Sequence, residues 1–185
     1  MTYRNGLVES KRPGPLGSAI GQPTVLSSEG AMAYFSLSVA IQASSERVWE
    51  VLSQAESWPA WTPTVTSIRR LDPGPLAVGS RLLIRQPKLP PAVWRLTELD
   101  EGRSFTWVTR GPGVRVTARH WVEANEGGSR ATLSLQFSGL LGPLVARLTR
   151  GLNERYLALE VRGLRTRSEG SAASPCTDRE TAPAG

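Results

Sequence analysis

Phe35, Leu37, Val39 and Ile41 alternate with Ser36, Ser38 and Ala40, the two-residue period of a strand with one buried face. Ser44 or Ser45 then offers an N-cap, and Val48, Trp49, Val51 and Leu52 follow at helical spacing. The stretch Trp58-Pro59-Ala60-Trp61-Thr62-Pro63 ends that helical region with a bend. Alternation then returns in six stretches, about 65–72, 79–86, 92–100, 103–110, 114–124 and 129–138. Pro- and Gly-rich turns separate them, at 72–75, 87–91, 101–102, 111–113 and 126–128. With the first strand they make a seven-strand antiparallel sheet, and a meander of that length must curl around something.

Pro143 sits where a helix can begin, and the prolines stop, giving room for a helix on the order of 35 Å. Leu141, Val145, Leu148, Leu152, Tyr156 and Leu159 recur at steps of three and four and mark one apolar stripe. Beyond Gly151 the stripe widens, because Leu157, Val161 and Leu164 point elsewhere. Either the helix bends near Gly151 or its second half is covered on two sides.

The chain is long enough for one ordinary domain, and its 39% hydrophobic content is depleted mostly at the ends. Residues 1–31 and 168–185 mix Gly, Pro and Ser with little periodicity and read as disordered; Met32 is an alternative start. The expected domain is therefore 33–167.

The order of strand, two short helices, six-strand meander and long C-terminal helix resembles the α+β helix-grip fold of the START/SRPBCC superfamily. Local wording agrees: Glu46-Arg47-Val48-Trp49-Glu50-Val51-Leu52, Trp58-Pro59-Ala60-Trp61 and Val78-Gly79-Ser80-Arg81. Trp94-Arg95-Leu96-Thr97-Glu98, Phe105-Thr106-Trp107 and Tyr156-Leu157-Ala158-Leu159-Glu160 are similar to the polyketide-cyclase-like branch, Bet v 1-like in fold. The resemblance implies a curved seven-strand sheet wrapped around the long helix, enclosing a cavity for a hydrophobic small molecule. It does not choose between carriers, receptors and cyclases.

Strand alternation decides which side chains face that cavity. The inner sets are Leu82, Ile84 and Gln86; Trp94, Leu96 and Glu98; Phe105, Trp107 and Thr109; Val114, Val116, Ala118, His120 and Val122; and Leu133, Leu135 and Phe137. Gln86, Glu98, Thr109 and His120 are the polar members. Unpaired burial of such a group costs roughly 1 to 3 kcal/mol, so each should have a partner. Hairpin pairing across 101–102 sets Glu98 opposite Phe105, and pairing across 111–113 sets Phe105 opposite His120. His120 and Glu98 are thus the candidate acid–base pair. The chain supplies no nucleophile or second base at recognisable spacing, so a polar pair that fixes a ligand without turnover is the weightier reading.

Trp58, Trp61, Gln86, Trp94, Trp107, Thr109, Phe137, Leu148 and Leu152 complete the candidate ligand-binding set, with Trp58 and Trp61 at the cavity's rim. Arg155 is read as solvent-exposed. One histidine, and one cysteine (Cys176) in the tail, point to no metal site and no cofactor.

The net charge of +6 raises nucleic acid or acidic membranes as partners. The arginines are scattered on alternating strand positions, so a solvated sheet face is the simpler reading and nucleic-acid binding is not expected. No segment has the roughly 20 apolar residues of a membrane span and the N-terminus lacks a signal-peptide core, so no stable membrane insertion and a cytoplasmic location are expected. The function expected is binding or transport of a lipid-like or aromatic molecule without catalysis. The alternatives are a polyketide cyclase or dehydratase, and an interaction module for anionic membranes or nucleic acid. The sequence leaves the oligomeric state open.

Overall fold

The computed structural model describes residues 24–28 and 32–170. The strands are β1 (Thr24–Ser28), β2 (Met32–Ile41), β3 (Ser67–Arg70), β4 (Arg81–Arg85), β5 (Ala92–Asp100), β6 (Ser104–Gly111), β7 (Val114–Asn125) and β8 (Gly128–Ser138). They form one antiparallel sheet in the order β1-β2-β8-β7-β6-β5-β4-β3. Between β2 and β3 lie α1 (Ser45–Ser53) and a 3₁₀ helix (Ala55–Ala60); after β8 come α2 (Gly142–Leu148) and α3 (Arg150–Glu169).

The sheet has eight strands, one more than expected. The added edge strand, β1, falls inside the segment read as disordered and pairs with β2 from Thr24↔Ser36 to Ser28↔Met32. The other residues assigned to that extension, and those of the tail beyond Gly170, lie outside the described residues. At the far end α3 outlasts the expected limit at 167. Ser168 is buried, and Glu169 accepts a hydrogen bond from the Gln42 backbone N–H at 2.9 Å, which ties the last turn to the end of β2.

Ser44 caps α1, its hydroxyl accepting from the Arg47 N–H, and Val48, Val51 and Leu52 turn into the core. The six meander strands sit close to the alternating stretches of the sequence, and their inner residues, Leu82, Ile84, Trp94, Leu96, Phe105, Trp107, Ala118, Val122, Leu133 and Phe137, are buried together.

The C-terminal helix is not a single rod. It breaks at Thr149, two residues before Gly151, where φ is −99° and ψ is 7°. The Thr149 hydroxyl donates back to the Val145 carbonyl at 2.7 Å and accepts from Asn153 Nδ2 at 3.0 Å. Such back-bonding distorts a helix. Beyond the break the buried face runs through Asn153, Tyr156, Leu157, Glu160, Val161, Leu164 and Ser168, rotated from the predicted stripe. Leu148 is consequently 76% exposed.

At Gly163, α3 comes close against Trp61, the residue that caps the 3₁₀ helix. A Cβ there would stand 2.3 Å from the Trp61 carbonyl oxygen, a backbone atom that cannot swing aside. Gly163→Ala should therefore lower the melting temperature, although at an unobstructed helix position the same change gains up to about 1 kcal/mol. Thermal denaturation followed by circular dichroism reads the sign.

Candidate functional site

Between the concave face of the sheet and the α2–α3 segment lies a cavity of about 270 Å³. Trp58, Gln86, Trp94, Trp107, Thr109, His120 and Phe137 line it. Exposure changes along its length. Trp58, Trp107, Ala118 and His120 are buried and form its closed end, whereas Gln86, Leu89, Thr109, Val145 and Thr149 are half-buried and Pro90 is exposed, at the open end.

His120 is the centre of an aromatic cluster. Its ring stacks on Phe105 at 4.7 Å with 21° between planes, and meets Trp58 at 5.3 Å and Trp107 at 5.6 Å edge-on. Trp58 in turn contacts Trp61 and Trp107, both at 5.3 Å, and donates its indole N–H to the Leu52 carbonyl at 3.0 Å. Burial among these rings disfavours the charged imidazolium and lowers the His120 pKa to about 3. His120 is therefore neutral at pH 7, and among the described residues its Nδ1 has no hydrogen-bond partner.

Glu98 is not part of this site. β5 carries an irregularity between Leu96 and Glu98: Leu96 pairs with Trp107, but Glu98 pairs with Thr106 and Leu99 takes the place opposite Phe105. The extra residue is a β-bulge, which turns the strand over and sends Glu98 to the outer, exposed face. There its carboxylate accepts from the Thr106 hydroxyl at 2.7 Å.

The buried carboxyl of the cavity is Glu160, on α3, which sequence reasoning missed. It lines the cavity wall, and its Oε1 accepts from the Thr64 hydroxyl at 2.8 Å; Thr64 and Thr62 hydroxyls lie 2.9 Å apart. Burial raises the Glu160 pKa to about 7, against the opposing pull of the Thr64 hydrogen bond. Asn153 and Tyr156 join it from the same helix face, the Tyr156 hydroxyl donating to the Pro87 carbonyl of the β4–β5 loop. A sequence signal existed: Leu157, Val161 and Leu164 define the second apolar set, and Glu160 is the acid on that set.

Three candidates fall away. Trp61 is half-buried against Trp58 behind the cavity wall rather than at a rim, and its partner Trp58 is fully inside. Leu148 is exposed and Leu152 half-buried, and neither lines the cavity, because the break at Thr149 turns their side of the helix away. Arg155 is exposed, as expected.

Residues 32–169 match the family model described as polyketide cyclase / dehydrase and lipid transport. The chain belongs to that family. Among solved structures, this family member is similar to the Zhui aromatase/cyclase from Streptomyces sp. R1128, with a TM-score of 0.65 and 14% identity over 77% of this chain and 97% of that one. It is similar to Ara h 8.0201, with a TM-score of 0.56 and 14% identity over 76% of this chain and 97% of the other. The di-domain aromatase/cyclase StfQ of the steffimycin biosynthetic pathway gives a TM-score of 0.62 and 11% identity; 78% of this chain is covered, and 53% of StfQ. These likenesses show the helix-grip fold. No curated protein sequence matches.

The shifted Glu160 leaves a thermodynamic trace. Its folded-state pKa, about 7, lies above its ordinary 4.5, so the folded state holds the proton more tightly. The associated stability is complete below about pH 4.5 and is lost as pH rises through about 7, at most roughly 1.4 kcal/mol per pH unit. Glu160→Gln should remove that dependence. Urea denaturation at a series of pH values should show the variant gaining on the native protein as pH rises from about 4.5 to 7. A constant difference would assign Glu160 an ordinary pKa.

Proposed function

We propose that the chain binds a compact hydrophobic small molecule bearing a ring system, and holds it without chemical change. The observation that carries this reading is the character of the cavity: about 270 Å³, walled by Trp58, Trp94, Trp107, Phe137 and Leu157, with a neutral imidazole at its closed end. That volume is near the lower limit of pockets that enclose drug-sized ligands, which argues for a compact guest. Indole walls suit flat ring faces, and the few polar groups, Gln86, Thr109, Asn153 and Glu160, suit one or two oxygen substituents. The family's description supports a lipid-like guest, and the aromatase/cyclase relatives support an aromatic or polyketide-like one.

A second reading, a polyketide cyclase or dehydratase, is favoured by one observation. Glu160 has a pKa near neutrality inside the cavity, the value that suits a general acid or base. In that reading Glu160, rather than Glu98, shares the cavity with His120, whose neutral imidazole serves as a hydrogen-bond acceptor. Loss of product formation in Glu160→Gln, with ligand affinity retained, would favour turnover.

Ligand binding raises the melting temperature by mass action, so a thermal-shift panel of fatty acids, flavonoid-like phenols and aromatic polyketides tests the first reading. A saturating ring-bearing ligand should add on the order of 2 to 3 kcal/mol at a hundredfold excess over its dissociation constant. Thr109→Trp, at a half-buried position of the wall, should fill the cavity and weaken binding at least about tenfold while the protein stays folded. No shift with any member of the panel, and no ligand retained in native mass spectrometry, would contradict it.

A further inference from the structure

The two ends of the sheet differ in charge. Asp72, Glu101 and Glu126 lie in the turns at one end, and Asp100 and Glu123 in the strand ends beside them. The opposite end is built from the β4–β5 loop at 86–91, the β6–β7 turn at 111–113 and the β8–α2 connection. No Asp or Glu occurs from 86 to 97, from 102 to 122 or from 127 to 153, the segments that carry these three connections. Lys88, Arg110, Arg115 and Arg147 are all exposed there, and none makes an ion pair among the described residues. Arg110 and Arg115 are direct cross-strand partners, an arrangement of like charges that weakens a hairpin.

Large apolar side chains stand among these cations. Leu140 is 90% exposed, Leu148 76%, Leu144 54% and Leu141 41%. Leu141, Leu144 and Leu148 follow one another at helical spacing along α2, and Leu141 packs over Gly113 beside the arginine pair. Such a contiguous leucine surface is uncommon on a soluble domain and marks a contact site. Leucines flanked by unpaired cations complement a lipid surface, with acyl chains to receive the leucines and anionic headgroups to meet the cations.

We propose that this end of the molecule, α2 with the 86–91 and 111–113 turns, docks reversibly on an anionic lipid membrane. It is also the open end of the cavity: Leu89 and Pro90 border it beside Lys88, and Val145 and Thr149 border it from the α2 side. Docking would place the opening against the acyl region, where an apolar guest can pass without crossing water. No helix among the described residues is long and apolar enough to span a bilayer, so the contact lies in the interface. Docking itself does not depend on whether the cavity's guest is a lipid or a polyketide.

Cosedimentation of the full chain with vesicles provides the test, comparing pure phosphatidylcholine with phosphatidylcholine and phosphatidylglycerol in equal parts. The protein should partition onto the anionic vesicles, less so as salt rises. At about 1 kcal/mol per cation near an anionic surface, the triple variant Arg110→Ser, Arg115→Ser, Arg147→Ser should lose roughly a hundredfold in partition coefficient. Leu144→Ser with Leu148→Ser should lose at least about tenfold. A triple variant of equal charge away from this end, Arg103→Ser, Arg119→Ser, Arg130→Ser, should stay within about threefold of the native protein, since exposed charges beyond a Debye length act weakly. Equal partition onto both vesicles, absence of partition, or an equal loss in the two arginine triples would overturn the proposal. So would retention on immobilised poly-glutamate without vesicle binding, which would assign the surface to an acidic protein.

Discussion

A single helix is narrower than the trough that it crosses. Eight strands about 4.8 Å apart make a sheet several times wider than the roughly 10 Å of a helix with its side chains. The curved sheet cannot be filled by α3 alone, and the rest of the architecture follows from how the surplus is occupied. α1 and the 3₁₀ segment fill one part, driving Trp58 inward against Trp107 and His120. Towards the opposite end nothing of comparable bulk is supplied, and the cavity is what remains. Gly163 belongs to the same account, because α3 reaches its depth in the trough only where a side chain is missing opposite the Trp61 carbonyl.

That geometry also sets the chemistry. A polar group on the buried face of α3 is withdrawn from water, and so is any polar group at the closed end of the sheet. Glu160 and His120 occupy these two situations, and burial pushes their pKa values in opposite directions, each towards its neutral form. The proximity of two titratable groups to one apolar space therefore does not by itself signify catalysis. Neutrality is what a chamber for an apolar guest requires, and a carboxyl poised near neutral pH is also what proton transfer would use.

Most of the sheet was legible from alternation, because a strand with one buried face writes its period directly into the sequence. What escaped depended on features without a local signature. The bulge at Thr97 inserts one residue and reverses the facing of everything after it, so Glu98 moved outward while Leu99 took the position opposite Phe105. The helix face was misread because two overlapping apolar sets compete after Gly151, and the set beginning at Leu141 is the one left partly in solvent. β1 carries no strong alternation of its own and is defined by its pairing with β2. By contrast the pairing of Phe105 with His120 was readable from the short turn at 111–113, which fixes the register of its hairpin. Leu141 and Leu148, two members of the expected stripe, are among the exposed leucines of α2, so helical spacing alone did not mark burial there.

The cavity's closed end is a buried, aromatic environment that keeps its imidazole uncharged. His120 is the chain's sole histidine, so its ring resonances can be identified without ambiguity in a nuclear magnetic resonance titration. Ring shifts should stay constant from about pH 8 down to about pH 5, since burial lowers the His120 pKa to about 3 and the ring remains neutral over that interval. A titration with its midpoint near 6.5, the ordinary histidine value, would show the ring open to water and contradict its burial.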